Sequence, residues 1–76
     1  MSEVLGYIAR NLVDDPGAVR VTEEQGDGTV TLRLSVAKED MGKVIGRGGR
    51  TARAIRSIVR AAGTKAGVHP FVEIVE

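Results

Sequence analysis

Val44-Ile45-Gly46-Arg47-Gly48-Gly49-Arg50 is the stretch whose reading decides the fold. Met41, Val44 and Ile45 before it recur at i, i+3 and i+4, so residues 39–46 predict a short helix, with Glu39 and Asp40 in a first turn where the dipole favours acids. From about Arg50 to Ala62, or a few residues beyond, Ile55, Ile58, Val59 and Ala62 fall on one side of a second helix. Arg53, Arg56 and Arg60 fall on the other. Between the helices lies a Gly-x-x-Gly unit, Gly46 to Gly49. Glycine tolerates φ > 0 and lets another molecule approach the backbone. A helix start aims unpaired N–H groups outward, which suits an anion such as phosphate. Arg47 and Arg50 add positive charge at the same point.

Working outward, Val4, Leu5, Ile8 and Leu12 predict a helix over residues 3–13, with Ser2 as its N-cap and Asp14-Asp15-Pro16-Gly17 as its stop. Val19 and Val21 alternate with Arg20 and Thr22, and Val30, Leu32, Leu34 and Val36 with Thr31, Arg33 and Ser35. Gln25-Gly26-Asp27-Gly28 between them is a turn signal, so the two runs read as a hairpin. Gly63 or Gly67 should end the second central helix. Residues 69–75 close the order as a strand. Val72 and Ile74 face the core, Phe71 and Val75 face outward, and Pro70 marks an edge position. The fold class is α+β: one domain over residues 1–76 in the order α-β-β-α-α-β, with helices covering one face of a three-stranded mixed sheet.

The net charge of +1 hides a segregation. Residues 1–37 carry three Arg against six acids, residues 38–65 eight Lys and Arg against two acids, and residues 66–76 only two Glu. The basic block therefore coincides with the glycine loop and its helices. It reads either as an electrostatic footprint for a polyanion or as a solvated helix face.

Composition narrows the function classes. There is no Cys, which excludes thiol nucleophiles, disulfides and zinc knuckles and fits a reducing compartment. No apolar run approaches the roughly 20 residues of a membrane span, and no signal-peptide pattern opens the chain, so a cytoplasmic protein without membrane contact is expected. Nucleotide motifs fail by position. A Gly-x-Gly-x-x-Gly from Gly46 needs glycine where Thr51 stands, and a P-loop ending Gly49-Arg50-Thr51 needs one where Val44 stands. The single His69 has no partner near it in sequence. No catalytic residue, metal, cofactor or small-molecule substrate is expected.

Ile45-Gly46-Arg47-Gly48-Gly49 within this element order resembles the type II KH domain over essentially the whole chain. The run from Ala37 to Ala52 and the closing Val72-Glu73-Ile74-Val75 are more similar still to the small bacterial stand-alone KH proteins of the KhpA (YlqC-like) family. KH loops clamp about four single-stranded nucleotides. The resemblance implies that Gly46 and Gly49 shape the loop and admit the backbone, with Arg47 and Gly48 facing phosphates and Lys43 and Arg50 as further phosphate contacts. It implies an apolar groove lined by Ile45, Ala52 and Ile55, with the second strand (Leu34 or Val36) as its other wall. Many KH domains carry a larger aliphatic residue where Ala52 stands, which leaves base preference open. Arg53, Arg56 and Arg60 read first as a solvated face, with RNA contact as the alternative; Arg53 is carried as a candidate. RRM, OB and cold-shock modules stack bases on aromatic rings, whereas this chain has only Tyr7 and Phe71. The resemblance further implies single-stranded RNA as ligand and a homodimer, or a heterodimer with a larger KH-containing (KhpB or Jag-like) protein. It implies a role as RNA chaperone or post-transcriptional regulator linked to cell division and cell shape. The rival reading is a protein-interaction module whose basic patch binds RNA only non-specifically.

Overall fold

The alternation over residues 30–36 gives the second strand one buried face, with Val30, Leu32 and Leu34 withdrawn from water between more exposed neighbours. The computed structural model describes residues 1–75. It places α1 at Ser2–Leu12, β1 at Arg20–Gln25, β2 at Thr29–Ser35, α2 at Met41–Ile45, α3 at Arg50–Ala66 and β3 at His69–Val75. The strands lie in the order β1-β2-β3. β1 pairs antiparallel with β2 (Val21 opposite Leu34), and β3 pairs parallel with β2 (Val72 opposite Leu32). A parallel pair needs a long crossover, which the segment containing α2 and α3 supplies. This is the mixed sheet of the type II KH fold, with Pro70 on an edge strand as expected.

Val30, Leu32 and Leu34 point to the covered face and are buried with Leu5, Ala9, Val44, Ile55 and Val59. Each large side chain withdrawn from water contributes roughly 1.5–3 kcal/mol. Val72 and Ile74 pack against this core from β3. The opposite face carries Thr22, Arg33 and Glu73 in register, with Arg33 bonded to Glu24 at 2.9 Å and Glu73 at 3.1 Å.

Several local expectations are corrected. Ser2 lies inside α1, and Met1 occupies the cap position without a side-chain bond. The buried face of α1 is Leu5, Gly6 and Ala9, while Val4 and Leu12 are partly exposed. On α3 the buried stripe is Ala52, Ile55, Val59 and Gly63, which leaves Ile58 half exposed. α3 ends at Gly67 (φ 76°, ψ 25°). The Gly67 N–H donates to the Thr64 carbonyl and the Val68 N–H to the Gly63 carbonyl, which is the Schellman pattern. Gly63 serves packing instead: a Cβ there would lie 2.4 Å from Pro70 Cδ, so only glycine lets the chain double back this closely.

Residues 38–46 are a 3-10 turn, Lys38–Asp40, followed by α2, with Gly46 closing the helix. Asp40 is 2% exposed and does more than complement a dipole. Its carboxylate accepts the backbone N–H groups of Asp14 and Asp15 at 3.2 and 3.1 Å, tying the end of α1 to the start of α2. Burial pushes this carboxyl upward. The two backbone donors and the Lys43 ammonium together outweigh that and hold it below the usual carboxylate range.

Candidate nucleic-acid interface

The loop between α2 and α3 uses its three glycines for two different reasons. Gly46 has φ 74° and ψ 172°, a region essentially restricted to glycine, and its N–H donates to the Gly42 carbonyl at 2.9 Å. A Cβ at Gly46 would meet Thr51 Oγ1 at 2.3 Å and the Thr51 backbone nitrogen at 2.9 Å. Gly48 (φ 63°, ψ 18°) and Gly49 (φ 77°, ψ 13°) are left-handed, and nothing lies within 4 Å of a Cβ at either. Gly46 is thus demanded by the chain's own packing, whereas Gly48 and Gly49 leave the backbone open to an approaching molecule. Within the turn the Gly49 N–H donates to the Gly46 carbonyl at 3.1 Å and the Arg50 N–H to the Arg47 carbonyl. No side chain caps the start of α3, so its positive dipole end faces the loop.

Charge around the loop is uncompensated. Arg47, Arg50 and Arg53 are exposed, and none forms an ion pair among the described residues. Lys43 differs from this group. Its ammonium lies 2.5 Å from Asp14 and 3.5 Å from Asp40, and the bond to Asp14 holds its pKa above the ordinary lysine value. Lys43 therefore braces α2 against the end of α1. Sequence reading did not find its partner Asp14, which lies 29 residues upstream, or the role of Thr51 behind Gly46.

The apolar residues also separate. Ile45 is 38% exposed beside the loop, but Ala52 and Ile55 are 4% and 2% exposed and support α3 from within. Leu34 on β2 and Val36 just beyond its end, expected as a groove wall, are instead buried in the core beneath the helices. The strand with a free edge beside α3 is β3, where the Arg56 Nε–H donates to the Val72 carbonyl at 3.4 Å. The wall facing α3 is accordingly β3.

A family described as the KH domain of KhpA/KhpB matches residues 2–74. The chain belongs to this family. "RNA-binding protein KhpA" of Chlamydia pneumoniae is 47% identical over 76 residues, covering 100% of this chain and 97% of the relative. The proteins of the same description from Clostridium acetobutylicum and Listeria monocytogenes are 48% and 47% identical, covering 99% and 100% of this chain and 100% of each relative. A crystal structure of Aquifex aeolicus Era bound to GDP and AlF4− superposes with a TM-score of 0.63 at 19% identity. It covers 96% of this chain and 28% of Era, and shows a shared fold. Among the described residues, no group of three or more His, Cys, Asp or Glu is placed to hold a metal ion, and no helix is long and apolar enough to cross a membrane.

Proposed function

We propose that this chain is a non-catalytic RNA-binding protein that clamps single-stranded RNA at Gly46–Gly49. The observation that carries the reading is the open backbone at Gly48 and Gly49, set at the uncapped start of α3 and flanked by the unpaired Arg47, Arg50 and Arg53. Phosphates sit over Gly48 and Gly49 and are neutralised by Arg47 and Arg50, with Arg53 continuing the track along α3. Bases turn toward Ile45 and the β3 edge, where aliphatic contact and backbone hydrogen bonds replace aromatic stacking. Lys43 and Gly46 hold the loop in place, and Ala52 and Ile55 fix α3 beneath it. The relatives described as RNA-binding proteins support the choice of RNA among polyanions.

The protein acts in the cytoplasm as an RNA chaperone or post-transcriptional regulator in processes such as cell division and cell shape. It works within a homodimer or a complex with a larger KhpB-like KH protein. Ile58 (49% exposed) on α3 and Tyr7 (66% exposed) on α1 support an apolar contact surface apart from the loop. Two linked sites raise the avidity of a weak four-nucleotide clamp. The rival reading, an interaction module with incidental RNA contact, draws on the same exposed residues.

The test is titration of a short single-stranded RNA against the 15N-labelled protein. Amide shifts concentrated on residues 45–54 and β3 support the clamp. Shifts scattered over every Arg and Lys, with none at Gly48 or Gly49, would reject it in favour of the non-specific patch.

A further inference from the structure

A cavity of about 410 Å³ lies at the open edge of the sheet, beyond the loop and toward the far end of α3. Thr31, Arg56, Arg60, Pro70, Phe71, Val72 and Glu73 line it. The volume falls within the usual range of sites for small ligands. Phe71, one of only two aromatic residues in the chain, is 57% exposed there. It projects from the sheet face away from the core, so its ring contributes little to the interior. Two guanidinium groups reach the same space from a different element. Arg56 is anchored on the Val72 carbonyl, and Arg60 lies one turn further along α3 with no ion-pair partner among the described residues. The one acid in the lining, Glu73, is bonded to Arg33. The cavity therefore combines an open aromatic face, an apolar floor of Pro70 and Val72, and an excess of positive charge.

We infer that Phe71 and Arg60 form an additional nucleotide subsite, in which one base stacks on the Phe71 ring and Arg60 meets its phosphate. The inference rests on the proposed clamp and extends it. A strand that leaves the loop at Arg50 and follows α3 has about 15 Å of helix to run before it reaches Arg60. Its path passes Arg53 and Arg56, which lie with Arg60 on the exposed side of α3. Charge selects the occupant: an apolar peptide would leave both guanidinium groups without a counter-charge, whereas a nucleotide supplies a π-face for Phe71 and an anion for Arg60. The subsite lengthens the footprint beyond four nucleotides without adding strong sequence selectivity, because every base has a face to stack.

The experiment compares a four-nucleotide with a roughly eight-nucleotide single-stranded RNA, using wild type, Phe71→Ala, Phe71→Tyr and Phe71→Trp. Phe71→Ala should weaken the longer RNA by about 5- to 140-fold and leave the shorter unchanged, while Phe71→Tyr binds both as wild type does. The chain has no Trp, so Phe71→Trp is a single reporter, quenched by the longer RNA only. Equal binding of the longer RNA by Phe71→Ala and wild type overturns the subsite while the clamp stands. Equal loss of both RNAs in folded Phe71→Ala also overturns it, since Phe71 would then belong to the clamp itself. Failure of wild type to bind either RNA overturns the clamp reading and the subsite with it.

Discussion

Replacing Gly46 by alanine should destabilise the protein far more than the same change at Gly48, although the two glycines are separated by one residue in the same loop. At Gly46 two penalties combine. The backbone (φ 74°, ψ 172°) lies in a region that costs a non-glycine residue about 1–3 kcal/mol. The new methyl would also sit 2.3 Å from Thr51 Oγ1, 2.8 Å from its Cβ and 2.9 Å from its backbone nitrogen, and overpacking of this kind costs about 1–3 kcal/mol. Together they give about 2–6 kcal/mol. At about 0.05–0.15 kcal/mol per residue, the whole chain holds only about 4–11 kcal/mol. At Gly48 the left-handed conformation costs about 1–2 kcal/mol and no neighbour is met. Urea and thermal unfolding followed by circular dichroism should show a Tm lowered by 10 °C or more, on the order of several degrees per kcal/mol, for Gly46→Ala and by roughly half that or less for Gly48→Ala. Adding Thr51→Ala to Gly46→Ala should restore only part of the loss, because the contacts to the Thr51 Cβ and backbone nitrogen remain. Equal unfolding temperatures for the two single variants would refute the reasoning.

Other expectations follow from the same geometry. Gly63→Ala should destabilise by about 1–2 kcal/mol despite alanine's better helix propensity, because its methyl meets the Pro70 ring; Gly42→Ala, with nothing within 4 Å, should stabilise by about 0.5–1 kcal/mol. The opposite signs can be read in one denaturant series. The Asp40 carboxyl is held below its unfolded value of about 3.9, so the unfolded state binds the proton first as pH falls. Its contribution is complete well above that value and disappears as pH drops through the folded pKa. Wild type should therefore lose stability faster than Asp40→Asn over the acid range, and parallel curves would contradict the role given to Asp40. Arg50→Ala should weaken single-stranded RNA binding and make the slope of log affinity against log salt shallower by about 0.7, the value for one phosphate contact on a single strand. An unchanged slope would remove Arg50 from the track.

The features legible from sequence were those whose cause is local. Alternation from Val30 to Val36 identified a strand with one apolar face, and the positive-φ demand of Gly46, Gly48 and Gly49 matched the interruption between two apolar periods. Pro70 correctly marked β3 as an edge. What escaped depends on contacts between distant residues. Asp40 in a first turn looks like an ordinary dipole partner, and only the fold brings the backbone of Asp14 and Asp15 to its carboxylate. Lys43 beside a glycine loop reads as a phosphate contact, and its ion pair with Asp14 could not be read because the two lie 29 residues apart in sequence. Gly63 resembles a helix cap because its Pro70 neighbour becomes a neighbour only after the chain reverses at Gly67. The strand facing α3 could not be read from alternation, since Leu34 and Val72 share the same pattern and strand order alone makes β2 central and β3 the edge.

The most direct test of the clamp is fluorescence anisotropy of a short labelled single-stranded RNA with wild type and with Arg47→Asp/Gly48→Asp. Both positions are exposed, and aspartate is among the residues most tolerant of the left-handed backbone at Gly48, so the double variant should remain folded by circular dichroism. The clamp predicts that the folded double variant loses binding, because two carboxylates then stand where phosphates are held. Equal affinity of the folded variant and wild type would contradict the clamp and assign RNA contact to the basic patch as a whole.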